Sequence, residues 1–358
     1  MSYSSDSTDV VIIQCFSNNV NEWVNLRSQY YSQSLNSLFK LFGVNRCLVE
    51  TVDLDETCTR CTTNVLCEIF TDDEKNQCLF EENGEKVIDV SHLKHKIKPA
   101  LTFNKIYVTK DLSVLCKASS LRNLIYGRRN IFVVPHSLLV KCQKLIALLL
   151  LLWNEDVHVC IFAIGNVRCA SGVTEFKDSL RSTLQEQCAN TIEVDKENLL
   201  LDTCLKYNLL SVSNKSEVTV DQNSYKEPIF YQYNNARLSA ILTKHANSYP
   251  PLASFEEIDW NCVFGDSEWK LLFNHLFVSQ SVLTETVNNI SLPMHKVAQH
   301  LSAMIREFSL YYSKTKVLIA PQPQSLPLIS SRIYFVKAIY KTLNRYFQCL
   351  SIIGVTKM

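Results

Sequence analysis

The hydrophobic positions of this chain change their period part-way along its length. Up to residue 225, short apolar runs that favour buried β-strands alternate with longer stretches of helical period. After residue 228 the strand signals stop, and apolar residues recur at the i, i+3, i+4 and i+7 spacing of one helix face. The pattern predicts a multidomain α+β chain with an α/β domain over 1–225 and an all-α helical bundle over 226–358. The boundary falls in the polar, turn-rich segment 211–228.

The N-terminal part alternates strands and helices. The run 10–16 fits a short buried strand or the start of a helix, because its period does not decide between them. A helix over 21–42, with Gly43 as its C-cap, is predicted to precede a strand over 46–54. The stretch 57–85 that follows is acidic, contains cysteines and is predicted to form a loop.

A parallel βαβ unit is predicted further along the chain. Strand-like runs at 130–135 and 157–165 flank the segment 136–153, which is apolar almost all round and is therefore expected to be buried. Beyond this unit the pattern predicts three further elements: a helix over 176–188, a short strand over 190–195 and a helix over 195–210.

Two amphipathic stretches dominate the C-terminal part. The stretch 294–318 has a continuous apolar face that includes Leu301, Ile305 and Phe308, and the stretch 232–245 has the same rhythm. Polar and basic side chains occupy the opposite face of the first stretch: Lys296, Gln299, Arg306, Lys314 and Lys316. These stripes predict a packed bundle but do not by themselves indicate a function.

Composition places the chain among globular proteins, with 47% hydrophobic and 20% charged residues. The opening MSYSSDSTDV has neither a basic region nor an apolar core, so no signal peptide is expected. The most apolar run, 145–153, is far shorter than the about 20 residues that a membrane-spanning helix needs. We therefore expect a cytoplasmic protein whose 14 cysteines are reduced thiols.

The net charge of +1 conceals a strong asymmetry along the chain. Residues 1–93 carry 6 basic and 15 acidic side chains, whereas residues 94–144 carry 11 basic and 1 acidic. A basic block with Tyr107 and Tyr126 among its cations fits the phosphates and unstacked bases of RNA. Its candidate RNA contacts are Lys94, Lys96, Arg128 and Arg129. The alternative is that these cations compensate the acidic segment 1–93 within the fold.

Four cysteines in the acidic stretch form the single candidate metal site. Cys58 and Cys61 have CxxC spacing, and Cys67 and Cys78 follow at irregular intervals. Four thiolates can bind zinc tetrahedrally and order such a loop. One CxxC pair is weaker than two, so reduced cysteines without a metal are the preferred interpretation.

The motifs of common nucleotide-dependent and hydrolytic enzymes are absent from the sequence. Its seven glycines form neither GxGxxG nor GxxxxGK[ST], so a backbone loop that cradles phosphates is not predicted. There is also no GxSxG elbow and no HExxH zinc motif. We therefore predict no catalytic residues.

Four motifs occur in order in the C-terminal 133 residues. They are FYQYNNARLSAIL from Phe230, EWKLLFNHL from Glu268, HKVAQHL with REFSLYYSKTKVL over 295–318, and a last helical stretch that closes with Ile353, Gly354, Val355 and Met358. In these motifs the segment resembles the DALR anticodon-binding domain of class I aminoacyl-tRNA synthetases, most closely the arginyl type. It departs from that family where Met294 replaces a proline and where the loop 319–331 is Pro-rich.

The HIGH and KMSK motifs of class I synthetases are absent, so the N-terminal domain has only a degenerate synthetase-like character. This organisation is similar to a group of arginyl-tRNA synthetase-like proteins that are not synthetases. The resemblance implies a non-catalytic adaptor that recognises arginine tRNAs and recruits a separate 3-methylcytosine tRNA methyltransferase to the anticodon loop. It implies no cofactor of the chain's own, since the partner would bind S-adenosylmethionine. Neither DNA nor a membrane is an expected partner.

On this interpretation the helical bundle holds the anticodon stem-loop. Tyrosines would stack on bases, cations would meet phosphates or base edges, and the terminal methionine would lie near the same surface, as in the family. The candidate residues are Tyr233, Arg237, Arg306, Tyr311, Tyr312, Lys314, Lys316, Arg332 and Met358. Some of these tyrosines also fit apolar stripes, and at least one is expected in the core.

Two other interpretations stay open from sequence alone. The chain could be a degenerate arginyl-tRNA synthetase paralogue that acts as a structural subunit of a synthetase complex. It could also be a divergent tRNA-modifying enzyme, with the N-terminal domain acting on the bound tRNA. The basic helix face disfavours the first of these, and the missing phosphate-binding loop disfavours the second.

Overall fold

The structure is a computed structural model, and it describes residues 10–44, 46–57, 77–94, 96–97, 100–125, 128–152, 159–187, 193–221, 223–258, 260, 265–288 and 293–358. The chain divides into two compact units. Unit 1 comprises residues 1–168 and 214–219, and unit 2 comprises residues 169–213 and 220–358. The predicted fold class is confirmed, because unit 1 contains a parallel sheet with helices and unit 2 is helical in the described residues.

The elements of unit 1 alternate as the hydrophobic pattern predicts. They are β1 (Val10–Phe16), α1 (Glu22–Leu41), β2 (Cys47–Asp53), β3 (Leu79–Glu82), β4 (Glu85–Asp89), β5 (Lys105–Tyr107), α2 (Leu112–Ile125), β6 (Arg129–Pro135), α3 (Leu139–Leu152), β7 (Val159–Ile164), β8 (Val167–Arg168) and β9 (Val218–Thr219). The undecided run at the N-terminus is a strand. The helix predicted over 21–42 ends at Leu41 with Phe42 as its C-cap, and Gly43 follows with a φ of 80°.

The main sheet of unit 1 has the strand order β2-β1-β6-β7 and is parallel throughout. Ile12 at its centre lies opposite Val49 on one side and Ile131 on the other. The predicted βαβ unit is confirmed, since β6 and β7 pair in parallel and α3 connects them. Most of α3 is buried, as expected for a helix that is apolar almost all round.

A small antiparallel sheet, β3-β4-β5, corrects one prediction. The loop predicted over 57–85 gives way at its end to a hairpin, in which Leu79 pairs with Ile88. Asn83 and Gly84 form the turn with φ values of 53° and 77°. An Asn-Gly pair tolerates two successive positive φ angles, so this dipeptide is the sequence signal for the hairpin.

Unit 2 is built from long helices. They are α4 (Val173–Gln187), α5 (Val194–Leu210), α6 (Lys226–Ser248), α7 (Asp266–Leu271), a π-helical turn (Leu272–Phe277), α8 (Val278–Asn288), α9 (Met294–Lys314) and α10 (Leu326–Cys349). The short strand predicted over 190–195 is wrong at its described end, because Glu193 is the N-cap of a helix that begins at Val194.

The division between the units differs from the boundary predicted at residue 225. Helices α4 and α5 belong to unit 2, because α5 packs against both α6 and α9. Tyr207 of α5 and Tyr231 of α6 share a buried hydrogen bond of 2.9 Å between their hydroxyl groups. The polar segment predicted to separate the domains is not a simple linker. The chain leaves unit 2 after residue 213, residues 214–219 belong to unit 1 and contribute β9, and unit 2 resumes at residue 220.

The chain end is tied to the buried face of α6. Gln232 is fully buried, and its amide nitrogen donates to the carbonyl oxygen of Ile353 at 2.8 Å while its amide oxygen accepts from the Val355 nitrogen at 2.8 Å. Asn235 donates to the Val355 carbonyl at 3.0 Å. Gly354 lies so close that a Cβ atom on it would be 2.6 Å from the Asn235 amide nitrogen. A larger residue at this position would therefore have to displace the Asn235 amide from its hydrogen bond to Val355.

Replacing Gln232 with leucine is expected to loosen the tail. The change leaves the buried Val355 amide without its partner, at a cost of about 1–3 kcal/mol, and removes the partly buried hydrogen bond to the Ile353 carbonyl. We expect lower thermal stability and faster hydrogen exchange at the Val355 amide. Gln280→Leu, at an exposed position of α8, is the matched control and should change neither. Unchanged exchange at Val355 would show that Gln232 does not hold the tail.

Four histidines of unit 2 predict that the stability of the protein falls as the pH drops below 6.5. Burial, the largest cause in each case, lowers the pKa of His245, His275, His295 and His300 below the ordinary value of 6.5. Below pH 6.5 the unfolded chain therefore binds protons that the folded chain does not. The stability that the neutral, buried histidines contribute is complete above pH 6.5 and is lost as the pH falls from that value through their lowered pKa values. The carboxylates with lowered pKa values respond only at lower pH.

The measurement is the melting temperature of the full chain as a function of pH. We expect it to fall as the pH is lowered from 7 to 5, and His275→Gln, at the most buried of the four positions, should flatten that fall. A melting temperature that is constant over this range would contradict the expectation.

No helix in the described parts of the chain is long and apolar enough to cross a lipid bilayer.

Candidate nucleic-acid interface

Arg237 is the centre of a cationic and aromatic surface on unit 2. Its guanidinium carbon lies 4.5 Å from the ring centroid of Tyr233 on α6 and 4.8 Å from that of Tyr312 on α9. It also donates to the Tyr233 hydroxyl at 2.8 Å and to the Asn234 amide oxygen at 3.3 Å. Tyr233 is 46% exposed although its position follows the apolar rhythm of α6. The structure thus brings together three of the residues predicted to bind RNA.

A cleft of about 420 Å³ begins beside this surface. Arg237 and Tyr312 line it, and Lys244 and Lys316 add two more cations to its lining. The remaining walls are largely apolar and are formed by Ala240, Ile241, Thr315, Val317 and Leu318. Cations beside apolar side chains in one cleft suit a ligand with negative groups and a flat apolar surface, which is the chemistry of an unpaired nucleotide.

Tyr311 is a correction to the predicted site. It is 1% exposed and packs edge-on against Phe335 of α10, with 5.8 Å between the ring centroids. Burial raises the pKa of its hydroxyl above the ordinary value. A ring enclosed in this way belongs to the core and does not stack on a base. The adjacent Tyr312 lies 100° further round the helix and reaches the surface instead.

Arg306 is exposed but is held by an acidic partner. One of its guanidinium nitrogens lies 2.6 Å from a carboxylate oxygen of Glu227, which also accepts from the Ser302 hydroxyl at 2.8 Å. Burial raises the pKa of Glu227, but hydrogen bonds from Tyr231, Ser302 and Arg306 outweigh it and lower that pKa below the usual value. Arg306 therefore contributes less free positive charge than the sequence suggests.

The other predicted contacts of unit 2 divide into two groups. Lys314, Lys316 and Met358 are exposed, and Lys316 lines the cleft. Arg332 is half-buried, and its guanidinium donates to the Lys316 carbonyl at 2.8 Å. It therefore supports the segment that carries Lys316. Direct contact between these residues and RNA stays a prediction.

Five lysines of the basic segment 94–144 form ion pairs within unit 1. Lys105 bonds to Glu82 at 2.8 Å and Lys144 to Asp111 at 2.8 Å. Further ion pairs in this segment join Lys110 to Glu85, Lys117 to Glu56 and Lys141 to Asp55. The hydrogen bonds from Lys141 and Ser17 lower the pKa of Asp55 to about 2. These pairs favour the alternative that the basic block compensates acidic side chains within the fold.

The four predicted RNA contacts of this segment have mixed surroundings. Arg128 donates to the Leu124 carbonyl at 2.8 Å, and the Arg129 guanidinium lies 5.7 Å from the ring centroid of Phe39. Lys96 is exposed and Lys94 is half-buried, and neither forms an ion pair with any residue that the structure describes. Tyr126 lies outside the described residues. Unit 1 therefore contributes two lysines to the candidate contacts, and its arginines hold local structure.

The candidate zinc site falls mostly outside the structure. Cys58, Cys61 and Cys67 lie outside the described residues, and Cys78 is a half-buried thiol whose pKa is raised by burial and by Asp89. Among the residues that are described, no group of three or more His, Cys, Asp or Glu side chains is placed to hold a metal ion.

Sequence reasoning missed two features of the site. Lys244 lines the cleft and follows Arg237 by seven residues, which places both on one face of α6. That spacing was a usable signal. Glu227, which holds Arg306, is 79 residues away from it in sequence, so only the packing of α6 against α9 brings the two together.

Comparisons with known proteins agree with this architecture. Residues 231–358 match the family model of the DALR anticodon binding domain. The chain is 25% identical over 163 residues to DALR anticodon-binding domain-containing protein 3 of Danio rerio, a match that covers 39% of this chain and 29% of that protein. It is 26% identical over 324 residues to an arginine–tRNA ligase of Borreliella burgdorferi strain B31, covering 80% of this chain and 52% of the ligase.

A solved structure shows the same fold. Arginyl-tRNA synthetase from Plasmodium falciparum superposes with a TM-score of 0.74 at 12% identity, covering 99% of this chain and 78% of that one. The chain thus spans about half the length of the ligase it matches, and under a third of the zebrafish relative is aligned. The resemblance is confirmed: the C-terminal part of this chain carries a DALR anticodon binding domain, the fold of the whole chain is similar to that of an arginyl-tRNA synthetase, and about two-fifths of the chain is similar in sequence to DALR anticodon-binding domain-containing protein 3.

Proposed function

We propose that this protein is a non-catalytic adaptor that binds arginine tRNAs through its DALR domain and presents the anticodon loop to a 3-methylcytosine tRNA methyltransferase. The observation that carries the RNA-binding part is the surface formed by Tyr233, Arg237 and Tyr312. It lies on a domain whose family is described as anticodon binding. The methyltransferase part follows the resemblance to arginyl-tRNA synthetase-like proteins that are not synthetases.

The chemistry of the surface suits single-stranded RNA better than duplex RNA. Tyr233 exposes nearly half of its ring, and exposed aromatic rings bind unstacked bases at about 1–3 kcal/mol each. Lys244 and Lys316 line the adjacent cleft, where they can neutralise phosphates on either side of such a base. An anticodon loop offers both unstacked bases and closely spaced phosphates, since its bases are unpaired and its backbone turns sharply.

Two observations support the non-catalytic part of the proposal: the synthetase motifs are missing, and a carboxylate at the edge of the sheet is occupied. A class I synthetase needs the HIGH and KMSK motifs to stabilise adenylation, and this chain has neither. At the carboxyl ends of β1 and β2, Asp55 binds Ser17, Asn19 and Lys141. Side chains of the protein itself thus occupy this carboxylate, which lies at the sheet edge where α/β proteins bind their ligands.

The experiment that tests the proposal has two arms. Small RNAs that co-purify with the tagged full-length protein are sequenced, and 3-methylcytosine is mapped in tRNAs from cells without the protein. Enrichment of arginine tRNAs together with loss of the modification in those tRNAs alone supports the proposal. Enrichment of arginine tRNAs with unchanged methylation would contradict the adaptor role but would still support RNA binding. Charging of tRNA by the purified chain would show that it is an enzyme.

A further inference from the structure

Three cations form a row along the exposed face of α10. Lys337, Lys341 and Arg345 are all exposed and follow one another at four-residue intervals. At 100° and 1.5 Å per residue, they lie within about 80° of one another round the helix and about 6 Å apart along it. The buried residues Val336 and Ile339 lie on the other side, at about 260° and 200° from Lys337. We call these three cations the α10 stripe.

The α10 stripe has no acidic side chain near it in the sequence. Residues 308–358 contain seven lysines and arginines and no Asp or Glu, and residues 228–255, which include most of α6, contain two cations and again no Asp or Glu. Within the part of the chain that the structure describes, no side chain of the stripe forms an ion pair. The five paired lysines of the segment 94–144 differ in this respect. The stripe therefore offers its positive charge to a partner.

The first cation of the stripe lies near the C-terminal end of α6. The Lys337 ammonium is 5.1 Å from the ring centroid of Tyr334, one turn earlier on α10. Burial and, after it, Lys337 lower the pKa of His245 on α6, so the charge of this lysine reaches that helix. His245 follows Lys244, which lines the cleft beside Arg237. The stripe thus begins at the end of α6 that contributes a cation to the cleft.

The surroundings of the stripe favour a polyanion over a membrane or an apolar protein surface. In the described residues, none of the large hydrophobic side chains that are exposed lies on α10, and Phe255 is exposed next to Tyr334, before the stripe begins. A helix that lies on a membrane needs an apolar face beside its cations, and a stable protein interface needs an apolar centre. Unpaired bases need open aromatic faces. The stripe offers charge alone, which is the chemistry that binds phosphates.

We infer that the α10 stripe binds the phosphates of a base-paired RNA stem, while the Arg237 surface binds the unpaired loop that the stem closes. The inference rests on the proposed function. Cations at equal intervals on one helix suit the evenly spaced phosphates of a paired strand, whereas the backbone of a loop turns sharply. Contacts to phosphates fix the position of a nucleic acid but do not report its sequence. The stripe therefore adds affinity and orientation, and the Arg237 surface adds selectivity.

The test uses the full chain and the anticodon stem-loop of an arginine tRNA in two forms. One hairpin has the natural backbone, and the other has uncharged methylphosphonate linkages in the stem only. The stripe variant is Lys337→Gln/Lys341→Gln/Arg345→Gln, and because these side chains are exposed its melting temperature should equal that of the wild type. Each protein is titrated with each hairpin at several salt concentrations, which completes a double-mutant cycle between stripe and stem.

The matched control is Lys40→Gln/Lys215→Gln/Lys270→Gln, which makes the same change in net charge at exposed positions on other segments. We expect the stripe variant to bind the natural hairpin roughly 100-fold more weakly at about 0.15 M salt and to lower the salt slope by about two to three, because each phosphate contributes about 0.9 to that slope. Neutralising the stem should weaken binding to the wild type and to the control by the same factor, and should leave binding to the stripe variant unchanged.

The other outcomes separate the inference from the function on which it rests. Equal affinity of the stripe variant and the wild type for the natural hairpin would overturn the inference, and loss of binding to phosphatidylserine vesicles in that variant would then assign the stripe to a lipid surface. A stripe variant that still responds to neutralisation of the stem would show that its cations contact other phosphates. An equal loss in the control would reduce the effect to net charge. Only a wild type that binds neither hairpin would overturn the proposed function as well.

Discussion

Replacing Arg237 with glutamine is expected to weaken binding of an arginine tRNA anticodon stem-loop by about tenfold and to lower the salt slope by about one. The guanidinium lies against the rings of Tyr233 and Tyr312 and donates a hydrogen bond to the Tyr233 hydroxyl. Its loss therefore removes a cation and the contact that holds the two rings in place. The measurement is a binding titration at several salt concentrations. The slope isolates the phosphate contribution, because it reports the counterions released on binding.

Two further variants make this result specific. Tyr233→Leu keeps apolar bulk but removes the stacking face, so it should lower the affinity by a similar factor without changing the salt slope. Lys270→Gln makes the same charge change as Arg237→Gln at an exposed position on α7, and it should leave both affinity and slope unchanged. If Lys270→Gln and Arg237→Gln weaken binding equally, the effect is one of net charge, and the surface that we describe is not the binding site.

Replacing Arg27 with methionine is expected to lower the free energy of unfolding of unit 1 by about 3 kcal/mol, which corresponds to roughly 6–12 °C in melting temperature. Arg27 of α1 is fully buried, and its guanidinium donates to the carbonyl oxygens of Gly165 at 3.1 Å and Ser216 at 2.7 Å. Burial lowers its pKa to about 10, so it is still charged at neutral pH. The variant leaves the buried Gly165 carbonyl and the partly buried Ser216 carbonyl without this donor.

Arg168→Met is the matched control for this prediction. Arg168 is exposed on β8 and pairs with Glu217 at 2.7 Å, and exposed ion pairs contribute about 0–1 kcal/mol. Thermal unfolding of the full chain, followed with probes in unit 1, distinguishes the two variants. Equal stability of Arg27→Met and wild type would show that Arg27 does not link α1 to the two loops that precede β8 and β9.

Much of this fold was predictable because local pattern and tertiary packing agree. The run 10–16 is a strand, and the apolar segment predicted over 136–153 contains the largely buried helix Leu139–Leu152, since a sheet covered by helices needs such elements. The division between the units was not predictable in the same way. Helices α4 and α5 follow the sheet in sequence but pack with the C-terminal bundle. The period of the apolar residues shows which face of a helix is buried, but it does not show against which element that face packs.

The candidate site was predictable in kind but not residue by residue. Tyr311 and Tyr312 are adjacent aromatic residues, and only the rotation of α9 buries the first and brings the second to Arg237. The basic segment 94–144 has the composition of an RNA-binding surface, yet five of its lysines form ion pairs within unit 1. Charge counted along a chain does not distinguish a basic surface that binds RNA from lysines that are paired within the fold, because acidic partners far away in sequence approach only when the chain folds.

The most direct test of the central claim is a reconstituted methylation assay. An unmodified arginine tRNA transcript, S-adenosylmethionine and a purified 3-methylcytosine tRNA methyltransferase are combined with and without this protein, and formation of 3-methylcytosine in the anticodon loop is timed. An adaptor predicts that the protein accelerates methylation of arginine tRNA and not of a tRNA for another amino acid, and that Arg237→Gln reduces the acceleration. Equal rates with and without the protein, across concentrations that saturate tRNA binding, would contradict the account.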